Sequence, residues 1–408
     1  MKIGLLAYHS ACNFGATLQL LSTYMYLKNS HHEPIIINWI PYSLEKSYSQ
    51  TVPPAQFNNQ KTTRKELWNE TALCRTAEDI SKVIVDEAIE AVIIGSDAVA
   101  QHHPLLERIV FPCRKIVGIK KNTEDMEFPN PFWAIWIEML QKPIPVAVMS
   151  VSSQDSAYRL IPVSTRRKML QCIRRYSYLS VRDEWTQAMF SFLTKGQYTP
   201  EITPDPVFAF NQNAGSLIST REDTLQKFHL PERYILISFL NTRPPSVTQD
   251  WINEFVQLAS SKGYTCANLP FSSNYGFGNV QTSIELPLSP IDWYALIKYS
   301  HGYVGNNMHP IIVSLHNQVP FFCFDNYGTS HLNGLLTSDK SSKIKHILTQ
   351  ARLNNCRVSS LSRYSKAPSP HVVYSALRDF DTTKSKNFAA ERLVAYNDMM
   401  KDILKAII

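Results

Sequence analysis

Lys2–Tyr8 reads KIGLLAY, residues 9–19 read HSACNFGATLQ, and Pro34–Ile40 reads PIIINWI. The first run is short, apolar and ended by polar residues, the pattern of a strand buried on both faces of a parallel sheet. Leu18, Leu21, Tyr24 and Met25 then recur on one helical face. A second apolar run follows. The order strand, loop, helix, strand is the unit of a doubly wound α/β sheet.

The alternation continues outward. A helix over 78–90 leads into strand Ala91–Ile94 and the loop Gly95-Ser96-Asp97. Strands at 146–151 and 178–181 alternate with helices at 165–176 and 184–193. Pro41 to about Thr63 is polar and carries Pro53-Pro54, so an excursion or flexible loop is expected there. Residues 100–142, broken by Pro104, Pro112, Pro129 and Pro131, are expected to be irregular. YTPEITPDPVF at Tyr198–Phe208 reads as a junction. Beyond it strands at 234–240, 265–269, 302–305 and 320–324 alternate with helices at 248–261, 291–299 and 308–317, and a last helix runs from about 389 to 405. The expected architecture is α/β, with two Rossmann-like domains facing across a cleft. The first spans 1–205 and the second 206–385, with a helix in 386–408 that could pack back on the first.

Composition fits this plan. The 408 residues are 44% apolar and only 18% charged, which excludes a disordered chain and supports two sizeable cores. A net charge of +7 suits an anionic substrate or an acidic membrane surface and gives no case for nucleic acid. Seven cysteines without a C-x-x-C pair argue against a metal cage or a disulfide framework, and for a reducing compartment. The apolar run at the start is too short for a signal peptide, and none approaches the ~18 residues of a membrane span. A cytoplasmic location is expected.

Ligands of doubly wound folds sit at the carboxyl ends of strands, so residues just after each strand are the candidates. Asn13-Phe14-Gly15 follows the first strand: Gly15 allows close backbone approach, and the helix start offers N–H groups to an anion or a sugar. A turn with a capping Asn13 explains the same residues. Ser96-Asp97 ends another strand, where the carboxylate could accept sugar hydroxyls, act as a base or cap a helix. His102-His103 nearby read as surface residues, and no third ligand supports zinc. Arg182 follows a strand too and pairs with an acid or binds an anion. Asp205, between two prolines, reads as a hinge or interdomain contact. Arg243 follows strand 234–240, where a guanidinium suits carboxylate or phosphate. Asn306-Asn307-Met308-His309 closes strand 302–305. An imidazole in the first turn of a helix is a candidate general acid for an anionic substrate.

These motifs together resemble the polysaccharide pyruvyl transferase family: NFGATLQ at 13–19, GSD at 95–97, SVRD at 180–183, Asp205-Pro206, and MHP at 308–310 followed by VPF at 319–321. The resemblance implies a GT-B-like fold, with phosphoenolpyruvate as co-substrate, a sugar with two hydroxyls as acceptor, a cyclic pyruvate ketal as product, and no cofactor or metal. Members often modify lipid-linked repeat units. By the resemblance, Asn306, Asn307, Met308, His309 and Arg243 would bind the donor, and Asn13, Phe14, Gly15, Ser96 and Asp97 the acceptor. His309 would be the proton donor and Asp97 the base. In the family an arginine stands two residues before this histidine; here it is Asn307, and Arg243 is the candidate replacement. The basic run Arg166-Arg167-Lys168 with Arg174-Arg175 reads as a solvated face or as peripheral contact with an anionic leaflet. Rival readings are a nucleotide-sugar glycosyltransferase and a catalytically silent glycan-binding relative.

Overall fold

The computed structural model describes residues 1–113, 116–240, 247–273, 276, 280–331 and 334–408. Six parallel strands form a first sheet: β1 (Lys2–Leu6), β2 (Glu33–Ile36), β3 (Ala91–Asp97), β4 (Val146–Val151), β5 (Tyr178–Val181) and β6 (Glu201–Ile202). Six more form a second: β7 (Tyr234–Ser238), β8 (Thr265–Asn268), β9 (Thr282–Ser283), β10 (Tyr303–Gly305), β11 (Phe321–Asp325) and β12 (Arg357–Ser359). Their orders are β2-β1-β3-β4-β5-β6 and β9-β8-β7-β10-β11-β12. Each order reverses once, at β1/β3 and at β7/β10. There the loops leaving the strands part in opposite directions and open a crevice at the carboxyl ends.

Seven helices bear on the site: α1 (Phe14–Asn29), α2 (Tyr42–Thr51), α3 (Pro54–Leu67), α4 (Glu184–Leu193), α5 (Met308–His316), α6 (Lys343–Gln350) and α7 (Thr382–Ile407). The chain from 42 to 67 is therefore helical and not a loop. The proline pair marks a break between two helices, with Pro54 at the first helical position, where its missing N–H costs nothing. The expected irregularity of 100–142 is seen as short 3₁₀ turns and a hairpin, but the segment is well anchored: Trp133 and Trp136 are fully buried. The last helix starts at Thr382, earlier than its apolar pattern suggested. It packs against α5 of the second half and against β4 and β5 of the first. No helix among the described residues is long and apolar enough to cross a membrane.

One apolar cluster joins the two sheets. It runs from Leu5, Phe14 and Leu18 through Val207 and Phe210 to Tyr294, Met308, Ile312 and Tyr396. The segment after Asp205 stays beside α1: Ser22 Oγ donates to the Pro206 carbonyl at 2.7 Å, and Asn213 Nδ2 donates to the Ser22 carbonyl at 3.1 Å. Helix α3 adds a polar tie, with Gln56 accepting from Leu288 N at 2.7 Å and donating to its carbonyl at 3.0 Å.

Candidate active site

Four chain segments meet where the strand orders reverse: Cys12–Gly15 after β1, Ser96-Asp97 at the end of β3, Ser238–Leu240 at the end of β7, and Asn306-Asn307 after β10. Asn13 caps α1, its Oδ1 accepting from Gly15 N at 3.0 Å. Asn306 ties β10 to β7, accepting from Leu240 N at 3.1 Å and donating to the Leu240 carbonyl at 3.3 Å. Asn307 is the N-cap residue of α5 but makes no side-chain capping bond, so the first-turn N–H groups of that helix lack this partner. Residues 308–315 of α5 are all buried, as suits a helix that is apolar on nearly every side.

His309 is carried by this helix onto the start of α1. A Cβ built on Gly15 would lie 2.0 Å from His309 Cγ and 2.1 Å from Nδ1. Gly15 is thus required by the imidazole lying on it. Gly15→Ala is expected to expel the ring and to cost about 1–3 kcal/mol of stability through overpacking. Chemical denaturation measures this, and a variant as stable as the native protein would refute the wedge.

A buried charge cluster also acts on the ring. Arg182, just past β5, donates from Nη1 to Asp205 Oδ2 at 2.8 Å and from Nη2 to Asp97 Oδ1 at 3.2 Å. Asp205 also accepts from Gln19 Nε2 of α1 and, at 3.0 Å, from Val207 N. Asp205 is therefore a fixed acceptor and not a hinge. Burial works against the Asp97 carboxylate, but Arg182, Lys343 and His309 outweigh it and hold the group below the usual range. That favours Asp97 as counter-charge to Arg182 over Asp97 as a base.

His309 is only 7% exposed, whereas the sequence pointed to a ring open to the cleft. Burial lowers its pKa, Asp205 and Asp97 raise it, Arg182 and Lys343 lower it again, and the net result lies below the ordinary value. Its Nε2 and Arg182 Nε are buried without a hydrogen-bond partner among the described residues. Two residues expected to bind ligand are buried, and one of them, Phe14, also lines the cavity described below. Met308 lies in the apolar core, and Phe14 is buried against Trp293 at 5.5 Å between ring centroids. Ser96 is buried as well, its Oγ accepting from Asp97 N at 2.7 Å. His102 is buried too, and not a surface residue; burial takes its pKa to about 4, and Nδ1 accepts from Phe128 N at 3.1 Å. Asn241, Thr242 and Arg243 lie outside the described residues.

A cavity of about 260 Å³ adjoins the cluster, lined by Asn13, Gly15, Tyr48, Asn306, Asn307 and Tyr327 among others. Tyr48 comes from α2, in the stretch read from sequence as a loop. Lys343, the first residue of α6, is another participant that sequence reasoning missed: no strand end or motif marks it. The arrangement offers a neutral, sequestered imidazole and a held guanidinium behind a crevice lined by Asn13, Gly15, Asn306 and Asn307. Such a set can bind an anion and pass it a proton.

The fold has solved counterparts. A UDP-GlcNAc 2-epimerase of Neisseria meningitidis, solved with UDP-GlcNAc bound, is 11% identical with a TM-score of 0.53, covering 99% of this chain and 100% of that one. A UDP-N-acetylglucosamine 2-epimerase of Rickettsia bellii is 10% identical with a TM-score of 0.52, covering 100% of this chain and 97% of that one. At these identities the likeness speaks for the fold alone, and that fold is GT-B. No curated protein matches the sequence. The family model for polysaccharide pyruvyl transferase matches residues 13–327, from the Asn13 cap past the His309 helix to Tyr327. With well over half of its length matched, the chain belongs to the polysaccharide pyruvyl transferase family.

Proposed function

We propose that the protein transfers the enolpyruvyl group of phosphoenolpyruvate to two hydroxyls of a sugar in a lipid-linked repeat-unit precursor, closing a cyclic ketal and releasing phosphate. What supports this reading is His309, the histidine that the motif resemblance matches to the family's, lying at the start of α5 against the Gly15 turn. Protonation of the donor's methylene carbon makes an oxocarbenium-like centre at C2. The first hydroxyl adds there and gives up its proton. The second hydroxyl then takes the place of phosphate, and its proton leaves with the phosphate or the solvent. His309 would supply the first proton. The donor's negative charge would raise the ring's pKa on binding and so charge it only when substrate is present. Asn306, Asn307 and the start of α5 would hold the donor, and the Asn13–Gly15 turn with Asp97 would face the acceptor.

Mass spectrometry of lipid-linked glycans incubated with phosphoenolpyruvate tests the reaction. A gain equal to one pyruvate ketal, with phosphate released in equal amount, is expected. No gain and no phosphate across acceptors would favour the silent glycan-binding reading that Asn307 invites.

We place the enzyme at the cytoplasmic face of a membrane. On helix Val163–Ile173 and just beyond it, Arg167, Lys168, Arg174 and Arg175 are exposed, next to exposed Leu160 and Val163. Part of the basic run is otherwise engaged: Arg166 stacks over Phe192 at 5.0 Å, and Arg175 pairs with Glu138 at 2.6 Å. Near an anionic surface each exposed basic residue is worth about 1 kcal/mol. Reversing Arg167 and Lys168 to glutamate should therefore lower flotation with acidic liposomes at least tenfold, and unchanged flotation would remove membrane contact from the reading.

A further inference from the structure

A second cavity, of about 370 Å³, lies between the start of α4 in the first half and residues 340–350 of the second. Its size is that of a small-molecule site, about 300–1,000 Å³. Asp183, on its wall, directly follows the Arg182 that holds Asp97.

The charges around this cavity cancel. Lys340 and Lys345 stand against Asp183 and Glu184, and two of the four are already spent. Asp183 accepts from Ser152 Oγ and from Thr186 N, both at 2.8 Å. Lys345 pairs with Asp339 at 2.8 Å. Among the described residues that leaves Lys340 as the one unpaired lysine on the wall, with a carboxylate opposite. Phosphates and carboxylates are held by converging cations, and these are missing here.

What remains is an aromatic ring among neutral hydrogen-bonding groups. Trp185 is half-buried and fixed: its Nε1 donates to the Ser156 carbonyl at 3.1 Å, and Tyr158 packs edge-on at 5.1 Å between ring centroids. His346, on α6, is fixed as well. Gln350 Nε2, which can only donate, lies 3.1 Å from the imidazole Nε2, so the ring's proton sits on Nδ1. Burial pulls the pKa of His346 below its ordinary value despite Asp183 and Glu184, and the ring is uncharged at neutral pH. Nδ1 lies 3.8 Å from Glu184 Oε1, too far for a hydrogen bond. A donor and an acceptor thus stand apart, one in each half of the molecule. A hydroxyl, which accepts and donates at once, satisfies both. Ser341 lines the same cavity, and its buried Oγ has no hydrogen-bond partner among the described residues.

We infer that this cavity is a second carbohydrate site, which takes a neutral pyranose with its C–H face against Trp185 and one hydroxyl shared by His346 Nδ1 and the Glu184 carboxylate. That the sugar belongs to the acceptor glycan rests on the pyruvyl transfer proposed above; the sugar site itself does not.

Calorimetric titration and saturation-transfer NMR with neutral probes test this: the methyl glycosides of glucose, galactose, mannose and N-acetylglucosamine, with lactose and cellobiose. Native protein, Trp185→Leu and Glu184→Ala are compared. At least one probe should bind the native protein, and each substitution should weaken it tenfold or more. The Glu184 side chain is 78% exposed, so Glu184→Ala keeps the fold and decides the matter even where Trp185→Leu melts lower. Inorganic phosphate in tenfold excess should leave the sugar in place. No binding by any probe, native affinity in Glu184→Ala, or displacement by phosphate overturns the inference. Sugar binding that Glu184→Ala weakens, in a protein that forms no ketal, would sink the pyruvyl reading alone. Ketal formation by the native enzyme, with Glu184→Ala binding the probes at native strength, would sink only this inference.

Discussion

His309→Gln should lower kcat for ketal formation by about 100- to 10,000-fold, the usual contribution of a positioned proton donor, with little change in the thermal melt. Glutamine fills most of the ring's place over Gly15 and can hydrogen-bond, but it cannot deliver a proton at neutral pH. The ring's depressed pKa in the ligand-free protein adds a pH signature. For a proton donor, kcat/KM reports the free enzyme, so it should fall as pH rises through a value below the ordinary 6.5 of histidine. The matching limb of kcat reports the complex, where the donor's charge favours imidazolium, and should lie at higher pH. A well-folded His309→Gln enzyme with a tenth or more of native turnover would leave the histidine without its role. So would native limbs of kcat and kcat/KM that coincide.

Arg182→Met should be the most damaging change to the fold. The guanidinium is 4% exposed and links Asp97, on β3, to Asp205, beyond β6. Its removal strands two carboxylates in a dry site. Breaking a buried ion pair from one side costs about 3–5 kcal/mol, because the partner's desolvation is no longer compensated. Urea denaturation should show a loss of this size, and Arg182→Met with Asp205→Asn should recover part of it, since the double variant no longer buries that orphaned charge. A single variant within 1 kcal/mol of native, or a double variant no better than the single, would mean that the cluster is not the keystone its geometry suggests. Activity should fall with stability, as Asp97 and His309 would lose the charge that balances them.

The sheets were legible from local pattern. Apolar runs such as Lys2–Leu6 and Tyr234–Ser238 are short, continuous and closed by polar residues, which leaves little choice but buried parallel strands. Helices α2 and α3 were not legible, because Pro53-Pro54 reads as a break and nothing local says that a helix stands on each side of it. Trp133 and Trp136 were hidden in the same way, in a stretch whose prolines suggest disorder while its aromatic residues build core. At the site, the NFG turn, Asp97, Arg182 and His309 could each be singled out as following a strand, and Asp205 by the prolines around it, but their mutual contacts could not. Residues 97, 182 and 205 are far apart in the chain, and only the strand order brings them together. Why residue 15 is glycine needed the position of residue 309. Lys343 gave no signal at all, since an amine at the start of a short helix looks like any solvated lysine until its burial is known.

The Gln56–Leu288 bonds and the apolar cluster shared by both sheets carry a consequence for how substrate arrives. Twin-lobed enzymes that swing about a slender connection must part their lobes cleanly; here that would tear greasy side chains out of contact and snap a reciprocal amide clasp. Large-scale gaping is therefore too costly to occur on every turnover. On the proposed reaction, a three-carbon donor would have to slip in past the mouth and a bulky glycan could insert only its tip, so the chain's own stiffness would confine modification to a terminal sugar.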